Sequence, residues 1–320
     1  MHRRITLLLL FLFAAGSAPS GLAQGYPVRP IRIVHGFAAG GQGDTIARLL
    51  SQEMAKGLGQ PMIVEAKPGA DGNIASESVA HAQADGYTLM LATGAVSVAA
   101  AMHKSLPFEP VDDFAWISTA TLFSFVICAR GDGKFPSLRE VLQAARAAPN
   151  AVSFGSGGIG ARLAGEMLAS VARVKLLHVA YKGDAPTITG ILAGDTDFVV
   201  TPATIAMPHI RSGKLKALAL TGSSRWSGLP DAPTVAEQGH PGFDVRSWTG
   251  LATRAGTPRP IIERVRSELL RAVRVPDVSA KLEGFGFDIQ GSTPEEMRQR
   301  VVSEIAQWKR VIQEAGIETQ

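Results

Sequence analysis

Predicted strands and helices alternate along most of the chain, and this alternation is the feature that most restricts how it can fold. Residues 30–34 and 62–65 have the short apolar patterns of strands, and a buried strand is predicted at 86–92. Helices are predicted at 45–58 and 73–82, between these strands. Strands separated by helices at this spacing indicate parallel sheets flanked by helices.

A second set of elements begins near residue 125 and repeats the pattern. Ser137 is predicted to cap its first helix. The predicted strands of this set are 125–129, 152–154, 176–181, 196–200 and 217–220, and the predicted helices are 138–147, 162–172, 185–193 and 203–211. The tail, 258–315, is predicted to be mostly helical, and Thr293 and Pro294 begin a segment with the form of a capped helix start.

Composition favours a folded α/β protein with two domains. The chain has 320 residues, of which 46% are hydrophobic and 19% charged, so it can bury a large core. Its formal charge is +4, and removal of Arg3 and Arg4 with an N-terminal signal leaves +2. Because this charge is small and scattered, we expect no nucleic-acid partner.

The first residues have the order of a secretory signal. Arg3 and Arg4 precede an uncharged apolar stretch, and small residues follow up to Ala23, after which we place the cleavage. The apolar stretch is shorter than the roughly 18 to 20 residues that span a bilayer. The prediction is therefore a signal peptide at 1–23 and export of the mature chain, with an uncleaved anchor as the alternative.

No catalytic, metal or cofactor motif stands out in the sequence. The histidines are scattered singly, without a pair at metal-ligand spacing, and the common hydrolase, zinc and nucleotide motifs are absent. Cys128 lies in an apolar run, which is typical of an inert buried thiol and less so of a nucleophile. We predict no catalytic residue, no metal ligand and no cofactor.

A glycine-rich turn at 154–166 spaces Gly155, Gly157 and Gly160 as a dinucleotide-binding turn does. Such a site needs an acidic residue about 20 positions further on, to bind the ribose hydroxyls. Those positions hold Lys175 and two leucines, and Asp184 comes several residues later. The sequence therefore does not support an NAD or FAD site.

The same turn suits an anion of another kind. Glycines allow close approach of the backbone, and the first N–H groups of the following helix are unpaired and carry partial positive charge. Residues 38–44 form a similar device in the first half of the chain. Two such turns suggest a small acidic ligand between two domains. The alternative is that the glycines only make tight turns while Asp44 and Ser156 cap helices.

Short motifs, in a specific order and spacing, carry a family resemblance that runs from about Tyr26 to the C-terminus. They lie at 26–34, 37–44, 67–73, 85–89, 178–186, 213–219, 229–234, 239–243 and 248–251. The chain resembles the Bug family, the extracytoplasmic substrate-binding receptors of tripartite tricarboxylate transporters.

The resemblance implies a periplasmic-binding-protein-like fold, with two α/β domains, a ligand cleft between them and two crossing strands. Domain 1 would comprise 26–125 and 246–320, and domain 2 would comprise 126–245. It also implies a monomer in the periplasm that binds a small organic acid and presents it to the permease subunits of a tripartite tricarboxylate transporter. The alternatives are a receptor for a sensor kinase, or an enzyme that uses Asp44, Asp184 or His178 as a base.

The family binds a ligand carboxylate mostly through backbone N–H groups and hydroxyls of both domains. By resemblance we assign ligand contacts to residues of the first glycine loop, of the second loop and of the segments beside them. These are Phe37, Ala38, Ala39, Gly40, Gly41, Asp44, Thr93, Gly94, Ser156, Gly157, Gly158, Ile159, Gly160, Ala161, Asp184 and Thr201.

Two departures from the family pattern affect this site. The second loop is about two residues shorter and continues with Ala161 and Arg162, where the family has a serine or threonine. Arg162 either replaces that hydroxyl with a charge-assisted bond or is an exposed helix arginine. Gly36 precedes Phe37, where the family commonly has proline. His35 and His178, at predicted strand ends, are further candidates for ligand contact.

Overall fold

The computed structural model describes residues 25–37, 39 and 42–319. The predicted signal peptide lies outside these residues, as do Ala38, Gly40 and Gly41 of the first glycine loop. Within the part of the chain that is described, no helix combines the length and apolar character needed to cross a membrane.

Ten strands and ten α-helices make up the described structure. The strands are β1 (Ile31–His35), β2 (Met62–Ala66), β3 (Thr88–Thr93), β4 (Phe114–Arg130), β5 (Ser153–Ser156), β6 (Leu177–Ala180), β7 (Phe198–Pro202), β8 (Leu215–Leu220), β9 (Arg246–Arg254) and β10 (Asp288–Ile289). The helices are α1 (Gln42–Leu58), α2 (Asn73–Ala80), α3 (Ala95–Met102), α4 (Leu138–Ala147), α5 (Ile159–Ala172), α6 (Asp184–Ala193), α7 (Ala203–Arg211), α8 (Arg259–Ala272), α9 (Pro276–Gly284) and α10 (Pro294–Glu314). A short 3₁₀ turn, Ala70–Gly72, precedes α2.

The strands form two mixed sheets that share β4. In the first sheet β1 pairs in parallel with β2 and β3, and in the second β5 pairs in parallel with β6 and β7. The prediction of parallel sheets was wrong for the remaining pairs, since β3–β9, β4–β9, β4–β7 and β4–β8 are all antiparallel. The predicted α/β class is confirmed.

Strand β4 runs through both sheets and is three times as long as the apolar run that predicted it. Its first part, from Phe114 to Ser124, pairs with β9, and its second part pairs with β7 and β8. The first part is rich in hydroxyl groups. The Thr121 and Thr249 hydroxyls are 2.7 Å apart and the Ser118 hydroxyl donates to the Ser292 carbonyl, whereas the Thr119 hydroxyl has no partner among the described residues. Buried polar groups are stable when hydrogen-bonded, so a strand can be buried without an apolar pattern. The domain limits inferred from the family remain a prediction.

The C-terminal helix α10 packs into the core of the second half of the chain. Trp308, Val311 and Ile312 belong to the same buried cluster as Phe154 of β5 and Met102 of α3. The predicted capped start of α10 is confirmed, and its form is a capping box, in which the Thr293 hydroxyl accepts from the Glu296 N–H and the Glu296 side chain accepts from the Thr293 N–H. This packing places one side of α10 beside the junction of the two sheets.

Candidate ligand-binding site

A cavity of about 410 Å³ lies where the two halves of the chain meet at β4 and β9. Its size falls within the roughly 300 to 1,000 Å³ of small-molecule sites. The first half contributes residues of the loops and helices after β1 and β3, and the second half contributes the glycine loop after β5 and the start of α6. The walls include Phe37, Gly43, Thr93, Gly94, Ala95, Gly157, Gly158, Ile159, Gly160, Ala161 and Asp184.

The N-terminus of α5 faces this cavity without a side-chain cap. Gly158 is the N-cap residue, and the first intrahelical bond runs from the Arg162 N–H to the Gly158 carbonyl. The N–H groups of Ile159, Gly160 and Ala161 precede that bond, so the helix provides no acceptor for them. All three residues line the cavity. The turn therefore offers its unpaired donors where a ligand would lie.

Three other helices also begin at the cavity. Gly43 lies in the first turn of α1, Gly94 is the N-cap of α3, and Asp184 is the first residue of α6; all three line the cavity. A helix N-terminus carries the equivalent of roughly half a positive charge. The four starts together make the cavity favourable for an anion.

Two close backbone approaches fix the loops at the cavity. A β-carbon at Gly157 would lie 2.6 Å from the Asp184 backbone nitrogen and would also collide with the Gly183 carbonyl. A β-carbon at Gly36 would collide with the Gly72 α-carbon of the 3₁₀ turn. The glycine at position 36, where the family commonly has proline, thus has a local physical reason: the 3₁₀ turn passes too close for any side chain.

The structure brings nine of the residues assigned from the sequence to the cavity wall. They are Phe37, Thr93, Gly94, Gly157, Gly158, Ile159, Gly160, Ala161 and Asp184. Ala39 is exposed, and Asp44, Ser156 and Thr201 are buried away from the wall. Ala38, Gly40 and Gly41 lie outside the described residues. Ligand contact itself remains a prediction for the whole set.

Asp44 is engaged by its neighbours in the first half of the chain. Its carboxylate is 3.0 Å from His35 Nε2 and accepts a hydrogen bond of 2.9 Å from Arg48 Nε. Asp44 and His35 are both buried, and neither lines the cavity. Their contacts join the end of β1 to the first turn of α1.

Ser156 and His178 form a second polar pair, in which Ser156 is buried and His178 is half-buried. The Ser156 hydroxyl is 2.8 Å from His178 Nε2, and the His178 ring packs on Phe154. Burial, assisted by the nearby Arg162 charge, lowers the pKa of His178 to about 4. The neutral imidazole is therefore the form that the fold accommodates. Because the N-cap of α5 is Gly158 without a side-chain bond, Ser156 does not cap that helix.

Asp184 alone, of the three bases considered for an enzyme, lines the cavity. Burial raises the pKa of its carboxyl, and the nearby Thr201 hydroxyl lowers it by a smaller amount. That hydroxyl is buried and makes no hydrogen bond of ordinary geometry with the described residues, so burial is the dominant influence on Asp184. Asp44 and His178 lie elsewhere, in the pairs described above, so the three do not form one constellation.

Arg162 is not among the residues that line the cavity. Its side chain is 32% exposed, and its Nε is 3.7 Å from Glu166 Oε1. That Nε is buried with no hydrogen-bond partner among the described residues. A direct bond from Arg162 to a ligand carboxylate would need a rearranged side chain, and it remains a prediction.

Sequence reasoning missed the far wall of the cavity, which is mainly aromatic. Phe123 and Phe125 of β4, Phe287 and Trp308 contribute rings to it. Arg246, Ser247 and Thr249 of β9 lie beside them. These residues come from segments that are far apart in the chain, at 123–125, 246–249, 287 and 308, and no short motif joins them. In the sequence, Trp308 is recognisable only as an apolar residue of a predicted helix, and nothing in the pattern indicates that it lines a cavity.

Two charged residues on this wall are paired with other groups. Arg246 donates two hydrogen bonds to the Asp244 carboxylate, of 2.7 and 2.6 Å. Glu304, whose side chain is 13% exposed, accepts from Trp248 Nε1 at 3.0 and 2.8 Å. Burial raises the pKa of Glu304, while the Trp248 bond acts in the opposite direction. Neither group is a free charge awaiting a ligand.

Two α/β halves that enclose one cavity at their junction define a protein of the periplasmic-binding-protein type. Residues 46–317 match the family described as the tripartite tricarboxylate transporter family receptor, TctC. The chain belongs to this family, to which the Bug proteins also belong, and the predicted resemblance is confirmed.

Three relatives illustrate the match. A protein of Pseudomonas sp. (strain P51), named UPF0065 protein in tcbD-tcbE intergenic region, is 33% identical over 98% of this chain and 94% of its own length. The periplasmic binding protein BugD is 34% identical, with a TM-score of 0.77 over 92% of this chain and 100% of its own. MatC of Rhodopseudomonas palustris, solved with bound malate, is 33% identical, with a TM-score of 0.76 over 90% and 100% of the two chains.

Proposed function

We propose that this protein is a periplasmic receptor that binds one small organic carboxylate in the cavity at β4 and β9. The observation that carries the proposal is that four helices, α1, α3, α5 and α6, begin at this cavity. Backbone N–H groups bind a carboxylate at every ordinary pH and cannot attack it. Malate in the MatC structure shows that a relative binds such a ligand.

We propose further that binding involves no chemistry and that the ligand passes to the permease subunits of a tripartite tricarboxylate transporter. Family membership supports the permease as partner. Asp44 and His178 do not line the cavity, so of the three candidate bases only Asp184 is within reach of a bound ligand; the lack of a second candidate beside it supports binding without catalysis. Closure of the two halves on the ligand would be driven by the ligand's higher affinity for the closed form.

A binding screen tests the proposal. The purified mature chain is titrated calorimetrically with mono-, di- and tricarboxylates and with amino acids, and thermal unfolding is measured in parallel. A ligand at a hundredfold excess over its Kd stabilises the protein by about 2.7 kcal/mol. We expect at least one acid to bind with 1:1 stoichiometry and to be recovered unchanged. Absence of binding by every acid would contradict the receptor function, and conversion of the ligand would contradict binding without chemistry.

A further inference from the structure

The cavity has an uneven distribution of charge and apolar surface. Asp184 and Glu304 are two acids on its wall, whereas Arg246 is the one cation among the described lining residues, and Asp244 already neutralises it. The undescribed residues of the first loop, Ala38, Gly40 and Gly41, have no ionisable side chain. A di- or tricarboxylate would therefore place its second negative charge near acids without a free side-chain cation.

Among the described residues, Asp184 has no cationic or N–H partner of its own, in contrast to Glu304. Trp248 donates to both Glu304 oxygens, whereas the neighbour that acts on the Asp184 carboxyl is the Thr201 hydroxyl, which brings no positive charge. The pKa of Asp184 is raised by burial, as expected for a partly buried carboxyl without a counter-charge. A positively charged group in the cavity would supply the missing counter-charge.

The position of Asp184 relative to the second glycine loop matters as much as its charge. Gly157 packs directly against Gly183 and the Asp184 backbone nitrogen, so the α6 start and the loop that leads into α5 are in backbone contact. Unpaired N–H donors at Ile159, Gly160 and Ala161 thus lie next to an acceptor carboxylate on the same cavity wall. An α-amino acid presents the complementary pair, a carboxylate and an ammonium group on one carbon.

The rest of the wall indicates what the ligand carries beyond these two groups. Phe37, Phe123, Phe125, Phe287 and Trp308 all line the cavity. Rings of this kind bury apolar surface favourably and offer few polar contacts. The side chain of the ligand should therefore be apolar.

We propose that the ligand is an amino acid with an apolar side chain, whose ammonium group binds the Asp184 carboxylate while its own carboxylate binds the N–H groups at the start of α5. This proposal rests on the proposed receptor function and names the ligand class for the same cavity.

Matched ligand pairs test the proposal by calorimetry on the full mature chain at pH 7. The pairs are L-leucine with 4-methylpentanoate and L-phenylalanine with 3-phenylpropanoate; the two members of each pair differ only in the ammonium group. Two further ligands are controls: succinate is a dianion, and L-phenylalaninamide is a cation without a carboxylate. We expect one of the two amino acids to bind at least tenfold more tightly than its deaminated partner and than the amide or succinate. Equal or tighter binding of the deaminated acid, or of succinate, overturns the proposal.

The Asp184→Asn variant identifies the group responsible. We expect this variant to bind the amino acid at least tenfold more weakly than the wild type and to bind the deaminated acid equally well. The control is Asp195→Asn, at an exposed position beyond the end of α6, which should leave both affinities unchanged. Retained amino-acid preference in Asp184→Asn overturns the assignment. If that variant does not fold, the wild-type ligand pairs still decide the outcome. Binding of other acids without amino acids contradicts only this inference, while no binding of any acid contradicts the receptor function itself.

Discussion

Gly157 packs against the carbonyl group of Gly183, and this contact holds the starts of α5 and α6 side by side at the cavity. It links two loops that are 26 positions apart in the chain and that both contribute to the wall. The contact leaves no room for a β-carbon at Gly157, so its glycine is a requirement of the tertiary structure.

Replacement of Gly157 by alanine is expected to destabilise the protein by about 1 to 3 kcal/mol, because backbone atoms must move to admit the methyl group. The neighbouring change Gly158→Ala is the matched control. Gly158 has open space around a β-carbon and an extended backbone with φ of −161°, so it should cost far less. Urea unfolding of both variants gives the two free energies. Equal values would contradict the close approach.

Replacement of Ile159 by proline is expected to weaken carboxylate binding about tenfold or more. Proline is tolerated at the first position of a helix but removes its N–H group, and a hydrogen bond to a charged group is worth about 1.5 to 3 kcal/mol. The Ile159→Ala variant, which keeps the N–H and loses the side chain, is the control. Calorimetry gives the Kd of both variants for the ligand. Equal affinities would show that the Ile159 N–H group does not contact the ligand.

His178 should make the stability of the protein depend on pH. Burial lowers its pKa to about 4 in the folded state, whereas an unperturbed histidine titrates near pH 6.5. Between these pH values the unfolded chain binds more protons, so stability falls as the pH is lowered through this window, by on the order of 2 kcal/mol after allowance for partial exposure.

The measurement for His178 is urea unfolding of the wild type and of His178→Gln at several pH values from 7 to 4. Other carboxyls titrate in the same range, so the difference between the two proteins is the relevant quantity. As the pH falls, the free energy of unfolding of His178→Gln should rise relative to that of the wild type. A difference that stays constant would show that His178 titrates normally in the folded protein.

Glu304→Gln is expected to be more stable than the wild type at pH 7, because the folded state disfavours the ionised carboxyl: burial raises its pKa. A carboxyl with a raised folded pKa costs stability when ionised, and the cost disappears as the pH falls and the group is protonated. The advantage of the variant should therefore shrink at acid pH.

Thermal unfolding across pH 4 to 7 measures this advantage, and the same change at the exposed Glu318 is the control. The amide of glutamine keeps an oxygen that accepts from Trp248, so the packing need not change. A wild type more stable than Glu304→Gln at neutral pH would mean that the Trp248 bond outweighs the cost of burial.

Local patterns in the sequence were sufficient for most helices and for the short apolar strands. The predicted helices at 138–147 and 203–211 match α4 (Leu138–Ala147) and α7 (Ala203–Arg211), and the Ser137 cap is present. In these segments periodicity and capping residues act within a few positions of one another. The two glycine turns were also visible, because glycine spacing is a local signal.

Helix α3, strand β9 and the first part of β4 were not predicted. Strand β9 contains arginine, serine, threonine and glycine, and it becomes a central strand only because β3 and β4 pair with both of its edges. Hydrogen bonds between such distant segments leave no periodic pattern in either one.

The sequence by itself determined the α/β class, the family and the two glycine turns that begin helices at the cavity. Only the tertiary structure decided that Phe123, Phe287 and Trp308 meet across from those turns, that Asp44 is held by His35 and Arg48, and that Asp184 lies on the wall. The physical reason is that a turn depends on neighbouring residues, whereas the wall of a cavity depends on which distant segments are packed together.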